Sequence, residues 1–270
     1  MWINGLPADT INASDRAIQF GDGCFTTAAI TGGKIQLFEA HLQRLKQGCL
    51  CLKLAEPDWM QLESEMRQAA RGQQQAVLKV ILTAGSGGRG YSRQGCGPTT
   101  RIISVTAWPK HYQQLAVDGV QLSISPIPLA RSPLFAGIKH LNRLEQVLIR
   151  RHLDEESADD TLVLDTEGQV VECCAANLFW REGQQIFTPD VEQAGVNGVM
   201  RRFIMAQLAS AGDVCHIVRC GPERLLMADE IVICNALMPV LPVRQLQHVH
   251  YHDRSLFHRL LGVCEQLEAE

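Results

Sequence analysis

The sequence predicts an α/β protein of two domains, and three observations lead to this prediction. The chain has 270 residues, which is more than one domain of roughly 150 residues needs and short for two full ones. Short runs rich in β-branched residues alternate with longer runs of helical period along the whole chain. The sequence contains neither an internal repeat nor a low-complexity segment. We therefore expect a small N-terminal α/β domain over residues 1–114 and a larger C-terminal domain over residues 115–270.

Composition and charge argue against several classes of protein. Hydrophobic residues make up 46% of the chain and charged residues 20%, as in ordinary globular proteins. The net charge is −4, whereas a protein that neutralises nucleic-acid phosphates needs a basic surplus. No apolar run approaches the roughly 20 residues that a bilayer requires, and the N-terminus lacks the layout of a signal peptide. We expect neither a nucleic-acid partner nor a membrane.

The cysteines indicate a reducing compartment. There are ten, a density far below that of a disulfide scaffold. Cys24, Cys174 and Cys234 lie inside apolar runs, where a thiol packs as a small hydrophobe. The sequence has no Cys-x-x-Cys pair of the zinc or thioredoxin type. We expect reduced thiols and a cytoplasmic protein.

The first half of the chain predicts a β-hairpin followed by two helices. Residues 24–30 favour a strand, and the pair Gly32-Gly33 separates them from a second short run at 35–38, which is typical of a hairpin. Apolar residues then recur at helical spacing as far as Pro57. Asp58 is expected to cap a second helix that extends to about residue 71.

The remaining elements follow the same alternation. Buried strands are predicted at 76–83 and 101–107, because both runs are apolar and β-branched. The further predicted strands lie at 120–126, 161–164, 170–172, 177–180, 185–187, 214–218 and 230–234. The further predicted helices lie at 142–156, 198–211 and 253–267.

Lys139 is the first candidate for chemistry. It lies in an apolar-flanked loop, residues 137–142, just before a predicted helix. A solvated loop lysine is the commoner outcome, whereas a partly desolvated lysine amine suits Schiff-base chemistry. The segment alone does not distinguish these interpretations.

Glu172 is the second candidate, since it stands among small and apolar residues at 171–180. Burial makes a carboxylate costly unless a cation lies near it. Glu172 is therefore either an edge-strand glutamate that faces water or a carboxylate held for a protonated heterocycle.

Residues 194–202 are the third candidate. Gly195, Asn197 and Gly198 precede a predicted helix, and the first amides of a helix bind phosphate well because they have no partner within the helix. An ordinary helix capped by Asn197 would show the same pattern.

The glycine-rich stretch from Gly85 to Tyr91 resembles a nucleotide loop only superficially. It lacks the Gly-Lys-Ser/Thr ending of a P-loop and the spacing of the dinucleotide fingerprint, so a nucleotide-binding module is disfavoured. We interpret the stretch as a mobile substrate loop in which Arg89 binds a carboxylate through paired hydrogen bonds.

His248, His250 and His252 alternate and could place three imidazoles on one face of a strand. Closed metal sites usually show more ligands at tighter spacing. We expect no metal at this position.

Three of these features together describe one kind of site. A Schiff-base lysine, a carboxylate for a pyridinium nitrogen and a phosphate-binding helix start are the parts of a pyridoxal phosphate site. Lys139, Glu172 and residues 194–202 could supply them. We therefore expect pyridoxal 5'-phosphate as the cofactor.

Longer motifs resemble the fold-type IV pyridoxal-phosphate enzymes, the group that includes branched-chain and D-amino acid aminotransferases. Residues 172–179 resemble the family's cofactor strand, and residues 41–45 resemble its phosphate-binding arginine helix. Residues 198–201 resemble its phosphate cup, and residues 228–236 resemble its second phosphate turn. These motifs cover nearly the whole chain in the family's order.

Residues 20–27, 85–91 and 137–143 most resemble the lyase members of this family. Aminotransferases of the family usually have Glu-Gly or Glu-Val where this chain has Thr26-Thr27. The resemblance implies conversion of 4-amino-4-deoxychorismate to 4-aminobenzoate and pyruvate in folate biosynthesis. It also implies a C-terminal pseudo-barrel, a cofactor at the domain interface and a homodimer.

The resemblance further assigns roles to individual residues. Lys139 would form the Schiff base and move a proton, and Thr27 would relay a proton to the departing group. The cofactor-binding residues would be Lys139, Glu172, Arg44, Asn177, Val199, Met200 and Asn235. The substrate carboxylates would be bound by Arg89 and Tyr91. Because strand residues alternate, Thr26 and Thr27 cannot both face the cofactor, and the family register favours Thr27.

Two other functions remain open at this stage. An aminotransferase acting on D- or branched-chain amino acids would share the cofactor, the fold and the lysine. A non-catalytic ligand-binding scaffold on the same fold is disfavoured, because binding alone would not require both Lys139 and Glu172.

Overall fold

The computed structural model describes residues 1–264, which form two compact units. The first unit contains Met1–Trp108 and the short segment Ile138–Asn142. Of the described residues, the second contains Pro109–Gly137 and 143–264. The boundary predicted at residues 114 and 115 lies a few residues further along the chain, and the sequence carried no signal for the return of the short segment to the first unit.

The first unit is built on an antiparallel sheet with the order β2-β1-β6-β5-β3-β4. Its strands are β1 Trp2–Ile3, β2 Leu6–Pro7, β3 Gly23–Thr31, β4 Lys34–Ile35, β5 Gln75–Thr83 and β6 Thr100–Ala107. Its helices are α1 Arg16–Phe20, α2 Phe38–Leu52 and α3 Trp59–Ala70.

The core of the first unit lies between the sheet and helices α2 and α3. Leu42 and Leu45 of α2 pack with Leu62 and Met66 of α3 and with Leu78 of β5. Apolar residues three and four positions apart share one face of a helix, so each helix turns an apolar stripe toward the sheet.

Local sequence explains the hairpin and the cap in this unit. Gly32 and Gly33 have φ of +56° and +78°, the left-handed conformation that a two-residue hairpin turn requires. Asp58 accepts the N–H of Gln61 at 3.0 Å and begins α3. Both predictions are confirmed. Helix α2 is shorter than predicted, because Lys53 adopts φ +52° and ends it.

The second unit contains a larger mixed sheet with the order β12-β11-β10-β13-β14-β7-β8-β9, and β15 pairs with β14. Its strands are β7 Val120–Ile124, β8 Asp160–Leu164, β9 Val170–Cys173, β10 Asn177–Glu182, β11 Gln185–Pro189, β12 Cys215–Val218, β13 Glu230–Cys234, β14 Leu241–Leu246 and β15 Val249–His250. Its helices are α4 His111–Asp118, α5 Leu144–Leu153, α6 Val199–Ser210, α7 Pro222–Leu226 and α8 Ser255–Cys264.

This sheet curls on itself. The N–H of Val170, at the start of β9, donates to the carbonyl of Cys220 just beyond β12 at 2.8 Å, so the two edge strands approach each other. Inside the curl, the rings of Trp180 and Phe187 stack at 5.6 Å between centroids. The α/β class and the curled C-terminal sheet expected of the fold are confirmed.

The second unit differs from the sequence prediction in several parts, and helices α4 and α7 and strand β15 were not predicted. Strand β14 was missed, because Pro242 interrupts its apolar run and proline disfavours a strand interior. The predicted terminal helix 253–267 is α8 as far as Cys264, and its last three predicted residues lie outside the described part of the chain.

Glu230 of β13 explains how α8 is anchored. Its side chain is 1% exposed and accepts the N–H groups of Leu256 and Phe257, each at 2.7 Å. A carboxylate at a helix N-terminus satisfies amides that have no intrahelical partner.

Within residues 1–264, no helix has both the length and the apolar character needed to cross a bilayer.

Asp160, at the start of β8, makes the stability of the fold depend on pH. Its Oδ1 accepts the N–H groups of Thr161 at 2.7 Å and of Cys174 at 3.0 Å. Burial raises its pKa to about 6 from the usual 3.8, although these backbone hydrogen bonds oppose the rise. Between pH 4 and 6, the Asp160 carboxyl therefore keeps its proton in the folded protein but loses it in the unfolded chain. This difference stabilises the folded protein at low pH, and the stabilisation is lost as the pH rises through that window.

We predict that Asp160→Asn removes this dependence. Relative to Asp160→Asn, the unmodified protein should lose up to about 3 kcal/mol of unfolding free energy between pH 4 and pH 7. Urea unfolding across this pH range measures the difference. Asp154→Asn, at an exposed carboxyl, is the matched control. A pH-independent difference between Asp160→Asn and the unmodified protein would contradict the prediction.

Candidate active site

Strand β3 divides two adjacent threonines between the faces of the first sheet. Thr26 is fully buried on the core side with Cys24 and Ala28. Thr27 is partly exposed and shares the other face with Phe25, because neighbouring strand residues point to opposite sides. Of these two threonines, Thr27 is therefore the one whose side chain lies on the face away from the core.

Lys139 reaches this face through a short extended segment that pairs with the start of β3. The N–H of Phe25 donates to the carbonyl of Lys139 at 2.9 Å, and the N–H of Leu141 donates to the carbonyl of Gly23 at 3.0 Å. Lys139 Nζ lies 4.9 Å from the centroid of the Phe25 ring, within cation–π range. Lys139 and Thr27 therefore share the same face of β3.

A second lysine on this face, Lys79 of β5, was missed by the sequence analysis. Its Cα pairs with that of Thr27, and its Nζ lies 5.1 Å from the centroid of the Phe25 ring. A charged residue inside an otherwise apolar strand was the available signal. We call Phe25, Thr27, Lys79 and Lys139 the Phe25 cluster.

Thr26 belongs to a separate, buried polar network with helix α2. Arg44 donates to Thr26 Oγ1 from Nε at 3.0 Å and from Nη2 at 2.6 Å. The same hydroxyl lies 2.7 Å from His41 Nδ1. Since Oγ1 already accepts two N–H groups, geometry assigns its own hydrogen to His41 Nδ1 as acceptor. The orientation of Arg44, the expected phosphate ligand, is thus set by Thr26 and His41.

In the second unit, Glu172 of β9 is buried at 6% exposure. Its Oε2 accepts the N–H of Val196 at 2.9 Å. Gly195 next to it has φ +84°, and a Cβ there would collide with Val171 and come within 3.2 Å of Glu172 Oε2. The carboxylate and residues 195–198, which we call the cup turn, therefore interlock.

Arg143 is a cation that interacts with this carboxylate. Burial lowers the pKa of the Arg143 guanidinium, whereas the negative charges of Glu172 and Glu145 raise it. A buried carboxylate needs such compensation. Its burial favours the interpretation of Glu172 as a held carboxylate over that of a water-facing glutamate on an edge strand.

The cup turn leads directly into α6. The N-cap is Gly198, which has no side chain to accept the first amides of the helix, those of Val199 and Met200. Asn177 Nδ2 donates to the carbonyl of Val196 at 2.9 Å, and a Cβ on Gly198 would collide with Asn177 Oδ1. This helix start keeps the geometry of an anion site.

Arg201 holds the cup turn from the other side. It is 3% exposed and donates to Thr188 Oγ1 at 3.2 Å, to the Pro189 carbonyl at 2.9 Å and to Asn197 Oδ1 at 2.9 Å. The N–H of Asn197 donates to the carbonyl of Gly137 at 3.1 Å. Asn197 therefore stabilises the cup turn through its side chain and its backbone N–H. The N-cap of α6 is Gly198, whereas the sequence also allowed Asn197 at that position.

Asn235 shapes the turn that follows β13. Its Oδ1 accepts the N–H groups of Leu237 at 2.8 Å and Met238 at 2.9 Å, and its Nδ2 donates to the carbonyl of Ala175 at 3.1 Å. This is the self-capping geometry of an Asx turn. A role of Asn235 at the cofactor phosphate stays a prediction.

Arg89 and Tyr91 lie at the tip of the glycine-rich loop of the first unit. Both are exposed, and the N–H of Ser92 donates to the carbonyl of Arg89 at 3.1 Å to close the tip. The Tyr91 ring contacts the Phe20 ring at 5.6 Å between centroids. The side chain of Arg89 is therefore presented on an ordered turn.

Of the three alternating histidines, His248 precedes β15, His250 ends it and His252 follows it. The rings of His250 and His252 stack with centroids 6.5 Å apart. Among residues 1–264, no three His, Cys, Asp or Glu side chains are placed to hold a metal ion.

Comparison with known proteins identifies the family. The model of the amino-transferase class IV family matches residues 23–246. The chain belongs to this family. An aminodeoxychorismate lyase of Vibrio harveyi is 37% identical over 90% of this chain and 89% of the relative.

Solved structures agree with this membership of class IV. The crystal structure of 4-amino-4-deoxychorismate lyase from Pseudomonas aeruginosa matches with a TM-score of 0.91 at 34% identity, over 98% of each chain. The Escherichia coli branched-chain amino acid aminotransferase matches with a TM-score of 0.84 at 19% identity, over 96% of this chain and 91% of that one. The second likeness establishes the fold alone.

In this class IV protein, the predicted site residues fall into separate groups. Lys139 and Thr27 both belong to the Phe25 cluster, whereas Glu172, Asn177, Val199 and Met200 lie in or beside the cup turn and the start of α6. Of the other predicted residues, Arg44 lies in the polar network with Thr26 and His41, and Asn235 lies in the turn after β13. Arg89 and Tyr91 lie in the glycine-rich loop. Sequence reasoning gave no individual role to four residues that lie beside these groups, which are Lys79, His41, Arg143 and Arg201, although the last three fall within the motifs that resemble the family.

We predict that Thr26→Val destabilises the protein while Thr27→Val does not. Thr26→Val removes the buried hydroxyl that accepts from Arg44 and lies against His41 Nδ1, and loss of these hydrogen bonds costs about 1–3 kcal/mol of unfolding free energy, whereas Thr27 lies on the opposite face of β3 and is partly exposed. Chemical unfolding measures both changes, and Thr26→Ser should restore most of the loss. Equal effects of the two valine substitutions would contradict the assignment of the two faces.

Proposed function

We propose that the protein is a pyridoxal-phosphate-dependent lyase. It converts 4-amino-4-deoxychorismate to 4-aminobenzoate and pyruvate, a reaction of folate biosynthesis. The observation that carries the proposal is the Phe25 cluster, where an amine and a threonine hydroxyl share one face of β3. The likeness to the lyases of Vibrio harveyi and Pseudomonas aeruginosa supports it.

The residues of the second unit fit the coenzyme. A Cβ on either Gly195 or Gly198 would collide with its surroundings, so the cup turn is a tight backbone cradle. The free N-terminal geometry of α6 suits a phosphate group, and the amides of Val199 and Met200 are the proposed donors. Asn177 supports this cradle through the Val196 carbonyl.

Two further contacts complete the proposed binding of the coenzyme. Glu172, buried and compensated by Arg143, is the proposed partner of the protonated pyridine nitrogen. Arg44, oriented by Thr26, is the proposed cationic ligand of the phosphate. Asn235 contributes by shaping the turn after β13.

In the proposed reaction, Lys139, Glu172 and Thr27 have different roles. When bound, pyridoxal phosphate supplies an aldehyde for covalent attachment of an amine and a ring that withdraws electrons from the neighbouring carbon. The Lys139 amine would hold the coenzyme, and in the substrate complex the same amine would remove the proton from the substrate ring carbon that bears nitrogen. Glu172 keeps the pyridine nitrogen protonated. The ring would become aromatic as the C–O bond to the enolpyruvyl group breaks and its electron pair leaves with the oxygen. Thr27 would deliver a proton to the methylene carbon of this group, which leaves as pyruvate and so balances the proton removed from the ring.

The two carboxylates of the substrate require cations. Arg89 presents a guanidinium, which can donate two parallel hydrogen bonds to a carboxylate, and Tyr91 beside it presents a hydroxyl. Within the Phe25 cluster, Lys79 adds a second positive charge next to Thr27.

All ten cysteines are free thiols, which supports the proposed cytoplasmic compartment.

We predict that the purified holoenzyme forms 4-aminobenzoate and pyruvate in equal amounts without any 2-oxo acid. Lys139→Ala should abolish turnover, and Thr27→Val should lower kcat about 100-fold, as removal of a general acid does. Thr31→Val, an exposed threonine on the same face at the end of β3, is the matched control. Product formation that requires an added 2-oxo acid would instead identify an aminotransferase.

The resemblance to class IV enzymes also implies a homodimer, and α5 offers a surface for it. Leu144, Val147 and Leu148 are 70%, 60% and 44% exposed at helical spacing, whereas Ile149 and Leu153 of the same helix are buried. A contiguous exposed apolar stripe marks an interaction site. We propose that a second copy of the chain covers it.

We predict that Val147→Glu converts the dimer to a monomer, because a charge in an apolar interface is desolvated without a partner. Sedimentation velocity measures the change in mass. Val117→Glu, at an equally exposed valine of α4, should leave the dimer intact. A monomeric unmodified protein would refute the dimer, and a dimeric Val147→Glu would exclude this surface.

A further inference from the structure

Residues 14–22 hold the base of the glycine-rich loop, residues 85–93. The N–H of Arg16 donates to the carbonyl of Gly85 at 2.9 Å, and the N–H of Gly87 donates to the carbonyl of Ser14 at 3.1 Å. Asp15 and Ser86 form a β-bridge between these contacts. Backbone pairing therefore fixes where the loop leaves the sheet, although four of its residues are glycines.

The side chain of Arg16 holds the tip of the same loop. It is 3% exposed and donates from Nη1 to the carbonyls of Gly90 at 3.0 Å and Ser92 at 3.3 Å, and from Nη2 to the carbonyl of Tyr91 at 3.3 Å. Three successive carbonyls thus converge on one rigid planar guanidinium, a geometry that the single ammonium of lysine cannot reproduce.

Asp22 balances the charge of this buried group. It accepts Arg16 Nε at 2.8 Å and Arg93 Nε at 2.9 Å. Arg93 also donates to the carbonyls of Leu52 and Lys53 at the end of α2, at 2.9 and 2.7 Å. Burial opposes ionisation of Asp22, but its hydrogen bonds to Arg93 and Arg16 lower its pKa. The part of the loop that follows Arg89 is therefore tied at residues 90–93 by two charged side chains, Arg16 and Arg93.

An aromatic contact completes the anchoring of the tip. The Arg16 guanidinium carbon lies 4.7 Å from the centroid of the Phe20 ring, and that ring packs against Tyr91. A glycine-rich turn loses much conformational entropy when it is ordered. Contacts that order it before the substrate arrives remove that cost from binding.

We infer that Arg16 is a positioning residue that fixes the loop so that Arg89 can bind a substrate carboxylate. The inference rests on the proposed function, in which Arg89 binds the substrate. Arg16 itself is turned toward backbone carbonyls and Asp22. Its effect should therefore pass through Arg89 and fall on substrate affinity, not on the chemical step.

A double-mutant cycle tests this coupling in the holoenzyme. Arg16→Lys should raise KM about tenfold, with kcat within about twofold, since it loses the convergent carbonyl contacts but keeps the charge beside Asp22. Arg89→Ala should raise KM by at least as much. In the double variant, Arg16→Lys should add little to Arg89→Ala, because coupled residues are not additive. If the increase in KM of the double variant equals the product of the increases in the two single variants, the inference is overturned.

A second measurement does not depend on activity. Chymotrypsin cleavage after the exposed Tyr91 should be faster in Arg16→Lys than in the unmodified protein, because the tip is released. Arg67→Lys is the matched control, since Arg67 also lies over a phenylalanine ring and near a carboxylate but is exposed. Equal cleavage rates in Arg16→Lys and the unmodified protein would overturn the inference.

Two outcomes separate the inference from the proposed function. If the unmodified holoenzyme does not form 4-aminobenzoate, the proposed function fails, while cleavage still reports whether Arg16 orders the loop. If it does form the product but Arg16→Lys leaves KM unchanged, the inference alone fails. Should Arg16→Lys not fold, Arg93→Lys, which is more exposed, loosens the loop at residue 93 and should give the same coupling to Arg89.

Discussion

The backbone hydrogen bond between Phe25 and Lys139 is the interaction on which the proposed chemistry depends. It sets the register between β3 and a segment more than a hundred residues later in the chain. With that register, Lys139 approaches the Phe25 ring and Thr27 stands two residues further along the same face. Backbone pairing of this kind does not depend on which side chains are present, so it can position reactive groups without constraining their identity.

Two buried charged residues of this protein, Glu172 and Arg201, bind groups of the irregular turn that leads into α6. Glu172 accepts a main-chain amide, while Arg201 donates to a carbonyl and to the side chain of a turn residue. Each is nearly inaccessible, where an unpaired charge would be costly. The cost of burying them is met by hydrogen bonds that fix irregular turns, and irregular turns are the places where a helix start or a loop tip can meet a ligand.

Local pattern was sufficient for much of this architecture. The hairpin at Gly32-Gly33, the cap at Asp58 and the opposite faces of Thr26 and Thr27 follow from turn chemistry, capping and strand period alone. The motifs that resemble class IV enzymes added the cofactor and its expected ligands. In these cases a few adjacent residues decide the local structure, so the sequence contains the necessary information.

The parts that could not be predicted depend on contacts between distant segments. Nothing near Arg16 in the sequence indicates that it binds the carbonyls of residues 90–92, and Lys79 gains its position only through the pairing of β3 with β5. The same applies to Arg143 and Glu172. Propensity and periodicity describe one segment at a time, whereas these residues act where tertiary register brings two segments together.

The division of Thr26 and Thr27 between two faces has a consequence for how this chain can diverge. Insertion or deletion of a single residue early in β3 would exchange the two hydroxyls, detaching the α2 arginine from its acceptor and removing the threonine from the lysine at once. Side-chain replacements on either face can be tolerated separately, but a change of length here cannot. Relatives with altered reactions should therefore differ in this strand by substitution and keep its length.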